Sequence, residues 1–257
     1  MLYKKILFGL ACGIIFHVSS AFALASVEAP KSSYDNEHHV APAAPYYDKV
    51  VRINVGRNWL KTTVSKTLSS SPFVHMNTAD SSSQPVDMVG LFLGFEHWKT
   101  PQLGFQAGLG GYLNDSANVS GSMVRQENGV AQSNHFNYRI QSQRLVLEGR
   151  ILTSFKYKLH PYVSGSLGIA SNQSYSYRES TLSANLFTDN NRSAFTYGIG
   201  GGVEFDLSRH VRLGAGYQYL HLGSFSLNQS DNHITSQTPM LNNPYGHEVL
   251  LQFSMIA

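Results

Sequence analysis

The sequence of 257 residues contains one cysteine, Cys12. It lies in an N-terminal segment with the marks of a cleaved signal, so the mature chain could form no disulfide and must be stabilised by its fold. Charge is scarce as well: 14% of residues are charged and the formal net charge is +3, which falls to +1 once Lys4 and Lys5 are removed with that segment. No basic patch or basic helix stands out, which excludes nucleic acid as a partner. Nor is there a phosphate-binding loop, a metal motif or a catalytic constellation, so neither cofactor nor metal is expected. At 42% hydrophobic, the composition suits a soluble domain and a transmembrane barrel equally, because alternating strands never build a long apolar run.

The first residues, MLYKKILFGLACGIIFHVSSAFALA, combine a basic start, an apolar stretch from Ile6 to Val18, and small-residue sites ending at Ala23 and Ala25. They read as a Sec-type signal peptide over 1–25, cleaved after Ala23 or Ala25. The apolar stretch is short for a membrane span, and Cys12 lacks the leucine three positions upstream that a lipidation site needs. Residues 26–47 are rich in Pro, Ala and Ser without periodicity and read as a flexible periplasmic leader. Glu37, His38 and His39 within it are read as solvated, since adjacent histidines on such a segment have nothing to orient them around a metal.

From residue 48 to 257 the pattern changes to a period of two. Val51, Ile53, Val55 and Trp59 alternate with Arg52, Asn54, Gly56 and Asn58. The same alternation recurs around residues 89–96, 103–110, 144–151, 161–171, 195–205, 211–219 and 245–257. Short turns are expected near Lys99–Pro101, Phe155–Pro161 and Ser208–His210. The other connections, 61–85, 114–135, 172–193 and 222–244, are long and rich in Ser, Asn, Gln and Thr. Loops of that length are uncommon in compact soluble domains. Eight strands with short turns at one end and long loops at the other predict an eight-stranded antiparallel up-and-down transmembrane β-barrel, with four long extracellular loops and both ends of the barrel in the periplasm.

One face of the strands is aliphatic, with aromatics placed at strand ends: Trp59, Phe95, Tyr197, Phe205, Tyr217, Tyr219, Tyr245 and Phe253. Two aromatic girdles around an aliphatic band are what a bilayer selects, so these eight are expected at the membrane interfaces. The other face carries Arg52, Glu96, Arg144, Glu148, Arg150, Glu204, Arg212 and Glu248 among glycine, serine and glutamine. Those eight are expected to form a structural network filling the lumen, since an unpaired charge there would be very costly. The glycines of YGIGGGVEF (197–205) are expected to make room for the Arg and Glu side chains of neighbouring strands, because an eight-stranded barrel is barely wide enough for side chains.

The signal peptide, HPYVSGSLGIA (160–170), YGIGGGVEFDLSRHVRLGAGYQY (197–219) and the alternating last strand resemble the small outer-membrane β-barrels of Gram-negative bacteria. That group holds the outer-membrane-protein-A-like transmembrane domains and the opacity-type, porin-like surface antigens. The resemblance covers about residues 48 to 257, and it fixes fold more than function. It departs at the C-terminus, where Phe253 is followed by Ser-Met-Ile-Ala rather than closing the chain.

What the resemblance implies is a non-enzymatic integral protein of the Gram-negative outer membrane, reached by Sec export. It would contact outer-membrane lipid and lipopolysaccharide, and host or cell-surface molecules through its loops. Three alternatives stand beside it. The first is a narrow porin-like channel. The second is a lipid A-modifying enzyme, for which His221 and Ser224 are the nearest residues, although three apart in one strand they would face opposite ways. The third is a soluble lipocalin-like binder with the aliphatic face inward. His75, His135 and His233 are read as chance placements in polar loops rather than a metal site.

Overall fold

The computed structural model describes residues 47–62, 65–70, 73–79, 82–127, 130–155, 158–180, 187–229, 240–241 and 244–257. The expected signal peptide, and the leader up to residue 46, lie outside the described residues. So does His233, while of His75 only the backbone is described.

In chain order the strands are β1 (Asp48–Thr62), β2 (Ser65–Ser70), β3 (Phe73–Ala79), β4 (Ser82–Thr100), β5 (Leu103–Asn114), β6 (Ala117–Glu127), β7 (Val130–Thr153) and β8 (Leu159–Glu179). They continue with β9 (Phe187–Thr188), β10 (Asn190–Ser208), β11 (Val211–His221), β12 (Phe225–Ser226), β13 (Asn228–Gln229), β14 (Met240–Leu241) and β15 (Tyr245–Ile256). Eight of them form a closed antiparallel ring, β1-β4-β5-β7-β8-β10-β11-β15 and back to β1. These are the eight segments whose alternation the sequence displays.

The register fixes how the ring closes. Val50 pairs with Gly94, Gly94 with Gly108, Gly108 with Glu148, Glu148 with Ser166, Ser166 with Gly198, Gly198 with Leu220, Leu220 with Gly246, and Gly246 with Leu60. One circuit therefore returns to β1 ten residues further on, at 60 rather than 50. A stagger of this kind tilts the strands by roughly 35–45° from the barrel axis.

Burial reverses the order of a soluble protein. Leu109, Ile199 and Leu251 are 57%, 68% and 59% exposed, whereas Arg52, Glu204 and Glu248 are 0% exposed. The aliphatic face points outward and the charged face inward, which excludes the lipocalin-like arrangement.

The long connections differ from the irregular polar loops expected. β6 continues the line of β5 and pairs with β7, β3 pairs with β6, and β2 with β3, so the wall grows upward as a sheet. β7 and β8 run past the ring as far as the pairing of Phe136 with Glu179. Inside this extension Leu60, Val86, Val119, Phe136, Tyr138, Ile140, Tyr177 and Phe187 form a buried apolar cluster. Tyr177 meets Phe187 edge-on at 5.1 Å.

After β11 the chain turns inward. Leu222, Phe225 and Leu227 are buried in the same cluster. Gly223 makes the turn at φ 78°, a conformation that costs glycine little. Asn172 holds the segment by donating from Nδ2 to the carbonyls of Leu222 (2.7 Å) and Ser224 (3.2 Å), and β13 pairs with β9. Because β11 ends at His221, Ser224 does not share a strand with it, and the period-two argument about that pair fails. The His221 ring stacks on Tyr197 at 4.8 Å, while the Ser224 backbone is engaged by Asn172.

Candidate functional site

The lumen is where the polar chemistry of this chain converges. Arg52, Glu96, Arg144, Glu148, Arg150, Glu204, Arg212 and Glu248 all project inward and all are buried. Apart from Arg150 with Glu148 on one strand and Arg212 with Asp206 on neighbouring strands, which cation hydrogen-bonds which anion is set by the stagger, since the partners belong to strands that are not neighbours.

Nearest the short turns, Arg212 grips Glu96 with two hydrogen bonds, 2.6 and 3.0 Å, and donates from Nε to Asp206 at 2.7 Å. Glu96 also accepts from Trp98 Nε1 (2.5 Å) and Gln106 Nε2 (2.6 Å). Asp206 in turn meets His160 Nε2 at 2.8 Å. At mid-height, Glu148 accepts from Arg52, from Arg150 Nε at 2.9 Å and from the Tyr112 hydroxyl at 2.5 Å. Arg150 continues to Glu204 (2.9 Å) and Gln252 (3.2 Å), and Gln252 takes the Tyr162 hydroxyl at 2.8 Å. Towards the loops, Arg144 binds Glu248 at 2.7 Å, and Asn58 donates to the same carboxylate at 3.2 Å. Low dielectric strengthens each of these bonds and makes the loss of any one expensive.

Each arginine also lies over an aromatic ring: Arg52 on Phe92 and Arg150 on Tyr162 at 4.1 Å, Arg144 on Tyr112 at 4.9 Å and Arg212 on Trp98 at 5.9 Å. The rings in turn lie over glycines. A Cβ on Gly216 would stand 2.3 Å from the Tyr162 hydroxyl, one on Gly94 2.6 Å from Phe92, and one on Gly90 2.3 Å from Tyr112. The ring side chains occupy that space and the guanidiniums lie over the rings, an arrangement that suits the planar, weakly hydrated guanidinium. Within YGIGGGVEF, Gly202 faces the Tyr162 hydroxyl (2.6 Å) and Gly198 faces Gln218 and Leu220 (2.5 and 2.6 Å) rather than Arg or Glu, which corrects the expectation for that stretch. Trp98, Tyr112, Tyr162, His160 and Asp206 were not singled out from the sequence, yet Trp98, Tyr112 and Tyr162 share inward parity with Glu96, Gln106 and Ser164 and could have been found by it.

On the outer face, Phe95, Phe205 and Phe253 lie towards the short turns, and Trp59, Tyr197, Tyr217, Tyr219 and Tyr245 towards the loops. Tyr245 is half-buried and the other seven are exposed. The loop-side set is an arc rather than a full girdle, confined to β10, β11, β15 and β1. Spreading the ten-residue offset evenly over eight strands puts Asp87, Leu113, Gln143 and Ser171 of β4, β5, β7 and β8 near the height of Trp59. Above the band, burial holds the hydroxyl of Tyr138 well above the ordinary tyrosine range. Tyr177 is raised too, first by burial and then by Glu179 and Tyr138. Among the described residues no cluster of metal ligands occurs, and His135 is exposed on β7.

The family model of the outer membrane protein β-barrel domain matches residues 39–243. The chain belongs to this family. The match stops just short of β15, the strand that completes the ring of this outer-membrane barrel. No curated protein matches the sequence. Solved structures similar to the barrel include neisserial surface protein A, 14% identical with a TM-score of 0.42, over 81% of this chain and 95% of that one. The outer-membrane protein OprG of Pseudomonas aeruginosa is 11% identical with a TM-score of 0.43, over 82% and 96%. Ail, the attachment invasion locus protein of Yersinia pestis, is 12% identical with a TM-score of 0.38, over 82% and 98%.

Proposed function

We propose that this outer-membrane barrel is a non-enzymatic surface protein, with its lumen closed to solutes and its interactions made by the extracellular extension. One observation supports the reading: buried Arg/Glu/aromatic layers fill the inside of the ring and, above them, Leu222, Phe225 and Leu227 fold into the apolar cluster. Eight strands leave an interior that side chains alone fill. The sheet of β2, β3, β6 and the upper parts of β7 and β8 then offers a raised platform for cell-surface molecules. Export by the Sec route, cleavage of residues 1–25 and a periplasmic leader to residue 47 belong to the same proposal and are supported by the sequence pattern.

The test is conductance of the purified protein in a planar bilayer, beside an open porin that reports a working membrane. The porin is expected to show steady unitary steps and this protein none. Steady steps from the wild type would overturn the closed lumen and favour a narrow channel.

A further inference from the structure

We propose that the loop-side arc on β10, β11, β15 and β1 is a binding site for the phosphorylated sugar headgroup of an outer-leaflet glycolipid. The proposal rests on the orientation above, in which the long loops are extracellular and the arc faces the outer leaflet.

The arc is a continuous surface. Tyr219 lies 5.7 Å from Tyr245 and 5.4 Å from His247, and Tyr245 lies 6.0 Å from His247. The Tyr217 hydroxyl bonds His247 Nδ1. Trp59 and Lys61 on β1 pair with His247 and Tyr245 on β15, and the Lys61 ammonium stands 5.5 Å over the Tyr245 ring.

An ordinary interfacial belt would run around the whole barrel. Here it spans adjacent strands only, and the remaining strands carry Asp87, Leu113, Gln143 and Ser171 near that height. The charge is one-sided as well. Outward positions of the four strands, which are the odd-numbered ones, include Lys49, Arg57, Lys61, His221 and His247 and no Asp or Glu. Arg57 is already paired with Asp87 of β4 at 2.9 Å, which leaves the Lys61 ammonium as the cation within the aromatic surface, beside the imidazoles of His247 and His221.

Ring faces offer apolar surface to the C–H face of a sugar. An ammonium, an imidazole, an indole N–H and phenol hydroxyls offer donors to its hydroxyls and phosphate. At the level where acyl chains give way to headgroups, the ligand with both features is a phosphorylated glycolipid.

The experiment uses the full barrel in phosphatidylcholine nanodiscs, titrated with lipid A, with dephosphorylated lipid A and with phosphatidylglycerol. Trp59 emission is the readout, and Trp59→Phe supplies the background from Trp98. Saturable binding of lipid A is expected, weakened about tenfold in Lys61→Ala/His247→Ala and in Tyr245→Leu, and much weaker for the other two lipids. Each variant must first keep its heat-dependent gel mobility, which shows that it is folded. Equal binding by wild type and folded variants, or no preference over phosphatidylglycerol, would overturn the proposal. So would an emission change that follows protein density rather than lipid A, since that points to a second copy of the chain on the arc. The assay reads the outer face alone, so its failure leaves the conductance test of the closed lumen untouched.

Discussion

The guanidinium of Arg150 lies 4.1 Å from the centre of the Tyr162 ring, and the hydroxyl of that ring fills the space where Gly216 has no side chain. A Cβ at residue 216 would be 2.3 Å from the hydroxyl oxygen but 3.5 Å from Cζ. Gly216→Ala should therefore destabilise the barrel by about 1–3 kcal/mol, and by clearly less in a Tyr162→Phe background. Gly168→Ala serves as the control, because the three atoms nearest its Cβ would be backbone atoms of Leu145 and Val146, from 2.1 Å, whatever residue 162 is. Urea unfolding in detergent or lipid checks both. An equal cost of Gly216→Ala in the two backgrounds would refute the contact.

Glu148 and Glu248 should respond differently to repair. Glu148 is shared by Arg52, Arg150 and Tyr112, so Glu148→Leu is expected to cost about 3–5 kcal/mol, and removing Arg52 as well should restore only part of it. Arg144, by contrast, has Glu248 as its ion-pair partner. Glu248→Leu should be largely rescued by Arg144→Met. A double-mutant cycle measured by unfolding decides between shared and private partners.

The inward segment after β11 should be separable from the ring. Asn172→Ala removes the amide that holds the Leu222 and Ser224 carbonyls, and loosening by about 1–3 kcal/mol is expected. Hydrogen exchange should quicken in residues 222–229 while β1 and β15 keep their protection. Uniform quickening across the ring would show that the segment supports the barrel as a whole.

Alkaline pH should act on the extension first. Tyr138 and Tyr177 are held above the ordinary tyrosine value of 10.0 in the folded protein. Below that value both folded and unfolded chains keep the proton and stability is unaffected. Above it the unfolded chain ionises while the buried hydroxyls do not, so the stability of this cluster falls as pH rises through the raised values. Absorbance at 295 nm should show tyrosines that ionise late and only as the extension opens. A single ordinary titration with unchanged exchange protection would contradict the burial.

Strand number, parity and turn placement were legible because a bilayer outside and a crowded lumen inside impose opposite requirements on alternate residues. Leu109 and Gly108 need only local sequence to be assigned. The pairing of Arg212 with Glu96, 116 residues away, was not legible, since it depends on a ten-residue stagger that belongs to the closed ring and to no single strand. The extension was missed for another reason. Phe136, Tyr138, Phe187, Leu222 and Phe225 are dispersed among Ser and Asn, so no local period signals that they meet. Composition described those stretches as polar, whereas their few apolar residues decide how they fold.

The pairing of β1 with β15 has a kinetic meaning. Lys49 and Ala257 exchange both backbone hydrogen bonds, at 2.7 and 3.0 Å, so the seam joins the first strand of the ring to the last. Until β15 has been delivered, each end of the sheet is an unpaired edge open to association with other chains. Closing the seam is also the step with the greatest separation along the chain, and such contacts form slowly. Once made, they are undone only by parting a full strand in a solvent that offers its backbone no substitute. A slow opening of that seam, rather than a large equilibrium stability, is therefore expected to keep the barrel intact in the membrane.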